Sequence, residues 1–539
     1  MLASTDLAPS EKGLAYKWKV LWSVIFGLFL VILDQTVVNV AFPTLRNEFN
    51  APLDDTQWVL SIYVMAMGIS TPLAGFLGDR FGMKRIYILG ISLFVVSSLL
   101  CGLADSLPLL ILARALQGIG GGLALPLGSA QLFRAFPPHE QGLALGLFGI
   151  ALTMAPALGP IVGGWLVTHD MWRWIFYLNV PIGVLGVLIA SRWLKETIQE
   201  NAPRLSIPSL IASTIGFGAI LYAASIAADK GWTSTPVLSW LVLGILGLAA
   251  LSYIELKVAK EPLLDLRLFK NPVFLKATII GYVATVALFG AEFLMPIYLQ
   301  ALRGYSALDT GIYLLPLALT AGLVTAASGR IYDYIGPRPL IVVGYGIIML
   351  NTWHLSHIQA DTSIEHIMWL LAERGIGIGL TVQATFTAAL GVAPLEKVSR
   401  ASSLINATRN AVQAIAVAIL ATILVSALSP KIKTLQDQLM HGAPTEHKDE
   451  TFKGGVCSEM PAAGSFDDPF ASPFASGLGK KMRDIRKQAC TENLKGLSDA
   501  YLLTFYFSIL AFILGLFLPG WPGKWSGREG LRPPTPATH

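Results

Sequence analysis

Among the ionisable residues that fall inside long apolar runs of this sequence are Asp34, Arg114, Glu292, Glu373 and Arg374. A charge at membrane depth costs about 2.5–3.5 kcal/mol on insertion scales, so a chain keeps such groups where they pair or act. Asp34 and Arg114 are 80 residues apart and Glu292 and Arg374 are 82, and each pair lies at a matched depth in its two runs. A carboxylate whose arginine neighbour can move away takes up a proton when left alone and gives it up when paired again. That is the chemistry of a proton carrier. The bland alternatives are a static buried ion pair fixing helix register for Asp34 and Arg114, and a neutral carboxylic acid in a helix interface for Glu292.

The elements that position these groups are membrane helices. Of 539 residues 54% are hydrophobic and 14% charged, and the mean hydropathy is +0.60, more apolar surface than a water-soluble fold could hide. Runs long enough to cross a bilayer, about 20 residues each, recur fourteen times between 18–41 and 498–519. The expected fold class is therefore all-α, a polytopic membrane protein. The first run follows Lys12, Lys17 and Lys19 but carries Asp34 and ends without a small-residue cleavage site, so it reads as a retained helix and not a secretory leader.

Loops with Arg80, Lys84, Arg85, Arg134, Arg192, Lys257, Arg267, Arg330, Arg338, Lys397 and Arg400 alternate with loops that hold few cations. Short cytoplasmic loops retain Lys and Arg, so both termini are expected in the cytoplasm. The polar stretch 430–497 falls on the opposite side and exceeds the length over which that rule operates. It contains Cys457 and Cys490, a candidate disulfide outside the reducing compartment, with two unpaired thiols as the alternative; Cys101 reads as a packing residue.

Other chemistries find no footing. Three cysteines and eight histidines form no metal-ligand spacing, no nucleophile and base occur at catalytic spacing, and no phosphate-binding glycine loop or DNA-binding motif is present. The expectation is a non-enzyme without metal, cofactor or nucleic-acid partner, energised by a proton gradient, whose partners are membrane lipids and a small-molecule substrate.

Two segments recur. Gly75-Phe-Leu-Gly-Asp79-Arg80-Phe-Gly82-Met-Lys84-Arg85 is echoed by Gly329-Arg-Ile-Tyr-Asp333-Tyr-Ile-Gly336-Pro-Arg338, and Gln117-Gly-Ile-Gly-Gly-Gly by Arg374-Gly-Ile-Gly-Ile-Gly. Matches in the same order indicate duplication, with a site expected between the halves. The organisation that follows is a tail (1–17), a six-helix bundle (18–193), a two-helix insert with linkers (194–272), a second six-helix bundle that includes the loop 430–497 (273–519), and a tail (520–539). In the repeated loop, glycines permit close helix approach, and Asp79 can meet basic residues or a helix N-terminus. Such contacts would latch the halves together on one side of the membrane.

These motifs, with Leu33-Asp34-Gln-Thr36-Val-Val-Asn39-Val-Ala41-Phe-Pro43, Arg114-Ala-Leu-Gln117-Gly118, Ala155-Pro156-Ala-Leu-Gly159-Pro160-Ile-Val-Gly163-Gly164 and Trp172-Arg-Trp-Ile-Phe-Tyr-Leu-Asn179-Val-Pro181, give a chain that resembles the major facilitator superfamily. The resemblance is to its fourteen-span drug:proton antiporters of EmrB/QacA type and covers most of the chain outside the long loop. It implies proton coupling through Asp34 and Arg114, an antiporter motif at Pro156, Gly159, Pro160, Gly163 and Gly164, and export of amphipathic or cationic compounds across a bacterial inner membrane. It also implies a candidate periplasmic adaptor (membrane fusion protein) and outer-membrane channel meeting the long loop. Gln35, Asn39, Gln117 and Phe293 are candidate cleft residues. A dedicated exporter of one metabolite, siderophore or lipid, or a receptor or assembly component without transport, would use the same scaffold.

Overall fold

The structure is a computed structural model that describes residues 14–197, 206–259, 261–427, 456–457 and 476–520. The chain ends beyond these bounds and most of the loop 430–497 lie outside the described residues, as does the side chain of Glu292. Among the described residues every regular element is helical. Eleven helical segments are long and apolar enough to cross a membrane.

The first bundle comprises α1 (Tyr16–Glu48), α2 (Leu53–Phe81), α3 (Met83–Gly102), α4 (Leu107–Ala135), α5 (Gln141–Thr168) and a last span split into α6 (Trp174–Tyr177) and α7 (Asn179–Trp193). The insert is α8 (Ile207–Lys230) and α9 (Thr235–Tyr253), the latter extended by a π-helical turn at Ile254–Val258. The second bundle comprises α10 (Pro272–Ile297), α11 (Ala307–Ile335), α12 (Pro337–Leu355), α13 (Ile364–Gly391), α14 (Val398–Ser426) and α15 (Ser476–Gly515). Three of these, α10, α12 and α13, are not among the eleven; α13 is interrupted by Glu373 and Arg374, and α12 ends in Asn351, Thr352 and His354.

Helix starts are written locally. Ser206, Asn271, Ser306 and Ser363 each accept a hydrogen bond from a backbone N–H in the first turn that follows, which satisfies a donor the helix itself leaves orphaned. Proline in the first turn of α4, α8, α9, α10 and α12 has no N–H to lose there. Gly82 and Gly336, with φ of 101° and 81°, end α2 and α11 in the left-handed region open to glycine, so each half turns back at the same point of its repeat.

The two bundles repeat one packing scheme: α2 lies on α4 as α11 lies on α13, and α3 on α4 as α12 on α13. The glycine echo explains why. A Cβ on Gly118 would run into the carbonyl of Tyr63 on α2, and one on Gly375 into that of Leu317 on α11. Gly120 faces the Gly90 carbonyl on α3, and Gly377 faces the Gly344 carbonyl on α12. Small residues let backbones touch where no hydrophobic effect drives helices together. Large side chains such as Leu112, Leu188, Ile245, Leu246 and Leu323 point outward and exposed, which suits lipid and not water.

One sequence boundary moves. The boundary at 498 falls inside α15, which begins at 476 and runs 40 residues, because the Lys-rich segment before the apolar run continues the helix instead of looping. The insert also does more than join the halves: α8 packs against both α2 and α14. Trp58 of α2 stacks on Tyr222 of α8 at 5.9 Å, and the Trp232 indole N–H, just after α8, donates to Thr422 of α14 at 2.9 Å.

Candidate functional site

Asp34 and Arg114, on α1 and α4, meet in the core of the first bundle with about 1% of either residue exposed. Arg114 Nη1 donates to Asp34 Oδ2 at 2.5 Å. The other carboxylate oxygen accepts from Gln117 Nε2 at 3.0 Å and from Asn179 Nδ2 at 2.9 Å. Gln117 and Asn179 both also donate to Ser98 Oγ. The guanidinium lies 4.1 Å from the Tyr63 ring centroid, its Nε donates to the Val59 carbonyl at 3.1 Å, and Tyr63 Oη donates to the Val31 carbonyl. The acid is thus held by donors from two other helices, α4 and α7, and a buried ion pair of this kind needs such satisfaction of its remaining lone pairs.

The structure corrects one candidate here. Gln117 is fully buried in the Asp34 cluster and lines no cleft, because its amide fills the lone pair that Arg114 leaves open. Gln35 and Asn39 do share one accessible face of α1, partly exposed and exposed respectively, with Gln35 Nε2 at 3.7 Å from Met67 Sδ. Phe293 packs against a buried cluster of the second bundle. Ser98 and the role of Asn179 were missed; Asn179 stood in the Trp172–Pro181 motif, where an Asn opening an apolar helix was the available signal.

In the second bundle Arg374 is fully buried and its Nη1 donates to Thr352 Oγ1 at 3.1 Å and Asn351 Oδ1 at 3.3 Å. Asn351 Nδ2 donates to Glu373 Oε2 at 3.2 Å and to the Leu370 carbonyl. Glu292 belongs to α10, but its side chain lies outside the described residues. The glycine register aligns Arg374 with Gln117 and not with Arg114, so the two arginines are not at equivalent positions; the second sits about one helical turn further along.

The repeated loop joins the halves. Asp79 of α2 accepts from the Ser399 hydroxyl and from Arg400 Nε, the latter at 2.7 Å, at the start of α14. Asp333 of α11 accepts from the backbone N–H of Gly142 at 2.9 Å and of Leu143 at 3.0 Å, at the start of α5. Each bundle therefore supplies an acid to a helix N-terminus of the other, where the helix dipole and free N–H groups favour it. Gly75 presses on the Ser399 and Arg400 backbone, and Gly329 on the backbone of Gly142 and Gly146. Ser129 of α4 and Ser402 of α14 share a further hydrogen bond of 2.9 Å across the same seam.

The basic members of the motif act differently. Lys84 donates from its backbone N–H to Glu196 and from Nζ to the Ser191 carbonyl, and Arg85 lies 3.5 Å from Glu196. These contacts stay within the first bundle and its following linker, because the glycine at Gly82 turns the chain back toward α7. Arg80 covers the Phe81 ring, and Arg338 opens α12 beside the Pro519 carbonyl. Arg400, read from sequence only as a topology marker, supplies the cation that crosses the seam.

The antiporter-motif segment lies in an unbroken α5. Gly159 and Gly163 meet α1 at Thr36 and Val37, while Pro160 and Gly164 meet Gly311 and Leu308 of α11. Pro156, earlier in the same run, is partly exposed. The segment thus serves close approach on two sides, one within the bundle and one across the seam. On the opposite side of the halves, Cys457 and Cys490 are joined in a disulfide. The backbone N–H groups of Val456 and Cys457 donate to the carbonyls of Ala301 and Leu302 after α10. Among the described residues no group of three or more His, Cys, Asp or Glu could hold a metal ion.

Comparison with known proteins agrees with this architecture. The sequence model of the Major Facilitator Superfamily matches residues 24–417. The chain is 31% identical over 515 residues, 94% of each chain, to the uncharacterised MFS-type transporter YhcA of Bacillus subtilis. It is 31% identical over 421 residues, 78% of this chain and 77% of the other, to the multidrug resistance protein Stp of Mycobacterium tuberculosis. The proton:xylose symporter XylE superposes with a TM-score of 0.58 at 14% identity, covering 96% of this chain and 98% of that one, a likeness of fold. The chain is a multi-pass membrane transporter and not an enzyme, and it belongs to the major facilitator superfamily.

Proposed function

We propose that the chain exports amphipathic small molecules, cationic ones among them, in exchange for protons by alternating access, with Asp34 as the proton-carrying group. The observation that carries this reading is the sealed carboxylate itself: three side-chain donors reach Asp34 from two neighbouring helices. A proton can replace them only when α1 shifts against α4 and α7, which ties protonation to movement. The acid-to-N-terminus contacts of Asp79 and Asp333 support a state closed on the basic face. By the distribution of Lys and Arg that face is cytoplasmic, with both termini there, in the inner membrane of a bacterium. Relatives named for drug resistance support an exported cargo.

The energetics suffice. One charge crossing 100 mV releases about 2.3 kcal/mol and tenfold accumulation costs about 1.4 kcal/mol, so one proton sustains a gradient of roughly fortyfold for a neutral cargo. The test is flux of a fluorescent amphiphile in vesicles holding the purified chain under an imposed pH gradient. Wild type concentrates the dye when the gradient is present, and Asp34→Asn folds but does not. Undiminished gradient-driven flux in Asp34→Asn rejects the assignment.

A further inference from the structure

Ser402 of α14 bonds to Ser129 and to the Pro126 carbonyl, both on α4 in the other bundle. Asn406, Arg409 and Gln413 follow it at intervals of four, three and four residues, the spacing that stacks side chains on one helix face. The face of α14 that meets the first bundle at the basic end therefore continues as a polar stripe into the membrane. Arg409 is the charge on that stripe, about 16 Å along the axis from the start of α14 at 1.5 Å per residue, the depth at which carriers built from repeats place their sites.

Arg409 differs from the two fully buried arginines, Arg114 and Arg374. Arg114 has Asp34, and Arg374 is spent on Thr352 and Asn351. Among the described residues no carboxylate pairs with Arg409: it donates to Asn406 Oδ1 at 3.0 Å, and its Nε is sealed from solvent without an acceptor. The residue as a whole remains partly exposed. Two side-chain amides buried in this bundle also have a donor without an acceptor, Nδ2 of Asn410 and Nε2 of Gln383, and the Gln383 side chain abuts Gly149 of α5 at the seam. A guanidinium remains protonated at any physiological pH, and its forked donors fit a carboxylate or phosphate. A cation at this depth, with no carboxylate on it among the described residues, is costly unless something anionic visits it.

We propose that Arg409 recognises an anionic head group, a carboxylate or phosphate, on an otherwise apolar cargo. Asn406 orients the guanidinium, and Gln413 extends the polar stripe. The inference takes its place in the transport cycle from the export reading above, but it is tested by binding without any gradient, so the two can fail separately.

The probes are a rhodamine with a free carboxylate and its methyl ester, titrated onto the purified full chain in phosphatidylcholine nanodiscs. Wild type should bind the acid more tightly than the ester. Arg409→Gln should lower the acid-to-ester affinity ratio at least about tenfold, the scale of a lost hydrogen bond to a charged group, and Arg409→Lys should keep part of it. Melting temperatures establish that both variants are folded. Equal affinity for acid and ester in wild type, no saturable binding of the acid, or an unchanged ratio in Arg409→Gln overturns the proposal. Nanodiscs containing phosphatidylglycerol separate cargo from lipid: displacement of the acid by that lipid assigns the site to a membrane head group and overturns the cargo role.

Discussion

Arg374 stands in the second bundle where Gln117 stands in the first. Each precedes the glycine that lets its helix touch the neighbour, and each donates to a hydroxyl at matching positions, Thr352 and Ser98. In the first bundle the arginine bonds its carboxylate directly, whereas among the described residues of the second Asn351 stands between Arg374 and Glu373.

The glycine contacts should then be equally intolerant in both halves. Gly118→Ala and Gly375→Ala each force a Cβ into a backbone carbonyl, an overpacking that costs about 1–3 kcal/mol. Both should lower the melting temperature of the purified chain by similar amounts. Gly281→Ala, whose added methyl would meet only Thr385 at 3.6 Å, should leave it nearly unchanged.

Asn179 donates to Asp34 from α7. Asn179→Ala should weaken gradient-driven flux by about tenfold, since removing a hydrogen bond to a charged group is worth roughly 1.5–3 kcal/mol. Cargo binding at equilibrium should survive. Vesicle flux measured beside dye binding separates the two, and equal loss of both would make Asn179 a general structural residue.

The crossed acids predict a graded opening of the basic face. Asp79→Asn leaves Arg400 without its carboxylate and Asp333→Asn removes the charge that two N–H groups face. Each substitution should shift the population of closed molecules by about tenfold or more, and the double variant should shift it further. Distances between spin labels at the basic ends of α2 and α14 report this directly.

Cys457 and Cys490 enclose 33 residues of separation, a loop for which chain-entropy reasoning gives about 3–4 kcal/mol. Replacing both with serine should lower the melting temperature and speed proteolytic cleavage between α14 and α15. Thiol titration of the unreduced, unfolded wild type should find one free cysteine, Cys101.

Much of the machine could be read from residue types alone. Asp34 and Arg114 announced themselves because a charge in an apolar run has few bland explanations, and the glycine and Asp79 echoes carried the duplication. What stayed hidden depends on rotation about helix axes. Gln117 looked like a cleft residue because its face could not be fixed without Asn179 and Ser98 in place. Lys84 and Arg85 looked like part of the clasp between halves, although the turn at Gly82 sends them to Glu196. The roles of Arg400 and Arg409 were missed because each needs α14 to be set against its neighbours: one then faces Asp79, the other, among the described residues, Asn406. The extension of α15 was missed because a Lys-rich segment outside lipid has no hydropathy signal.

The reciprocity of Asp79 with Ser399 and Arg400, and of Asp333 with Gly142 and Leu143, has the form of an isologous interface, in which patch i of one copy meets patch j of the other and the reverse. Such a pattern is what two identical half-length chains would make on pairing about a twofold axis. The single chain shows that reciprocity with different donors, the side chains of Ser399 and Arg400 on one side and the backbone N–H groups of Gly142 and Leu143 on the other.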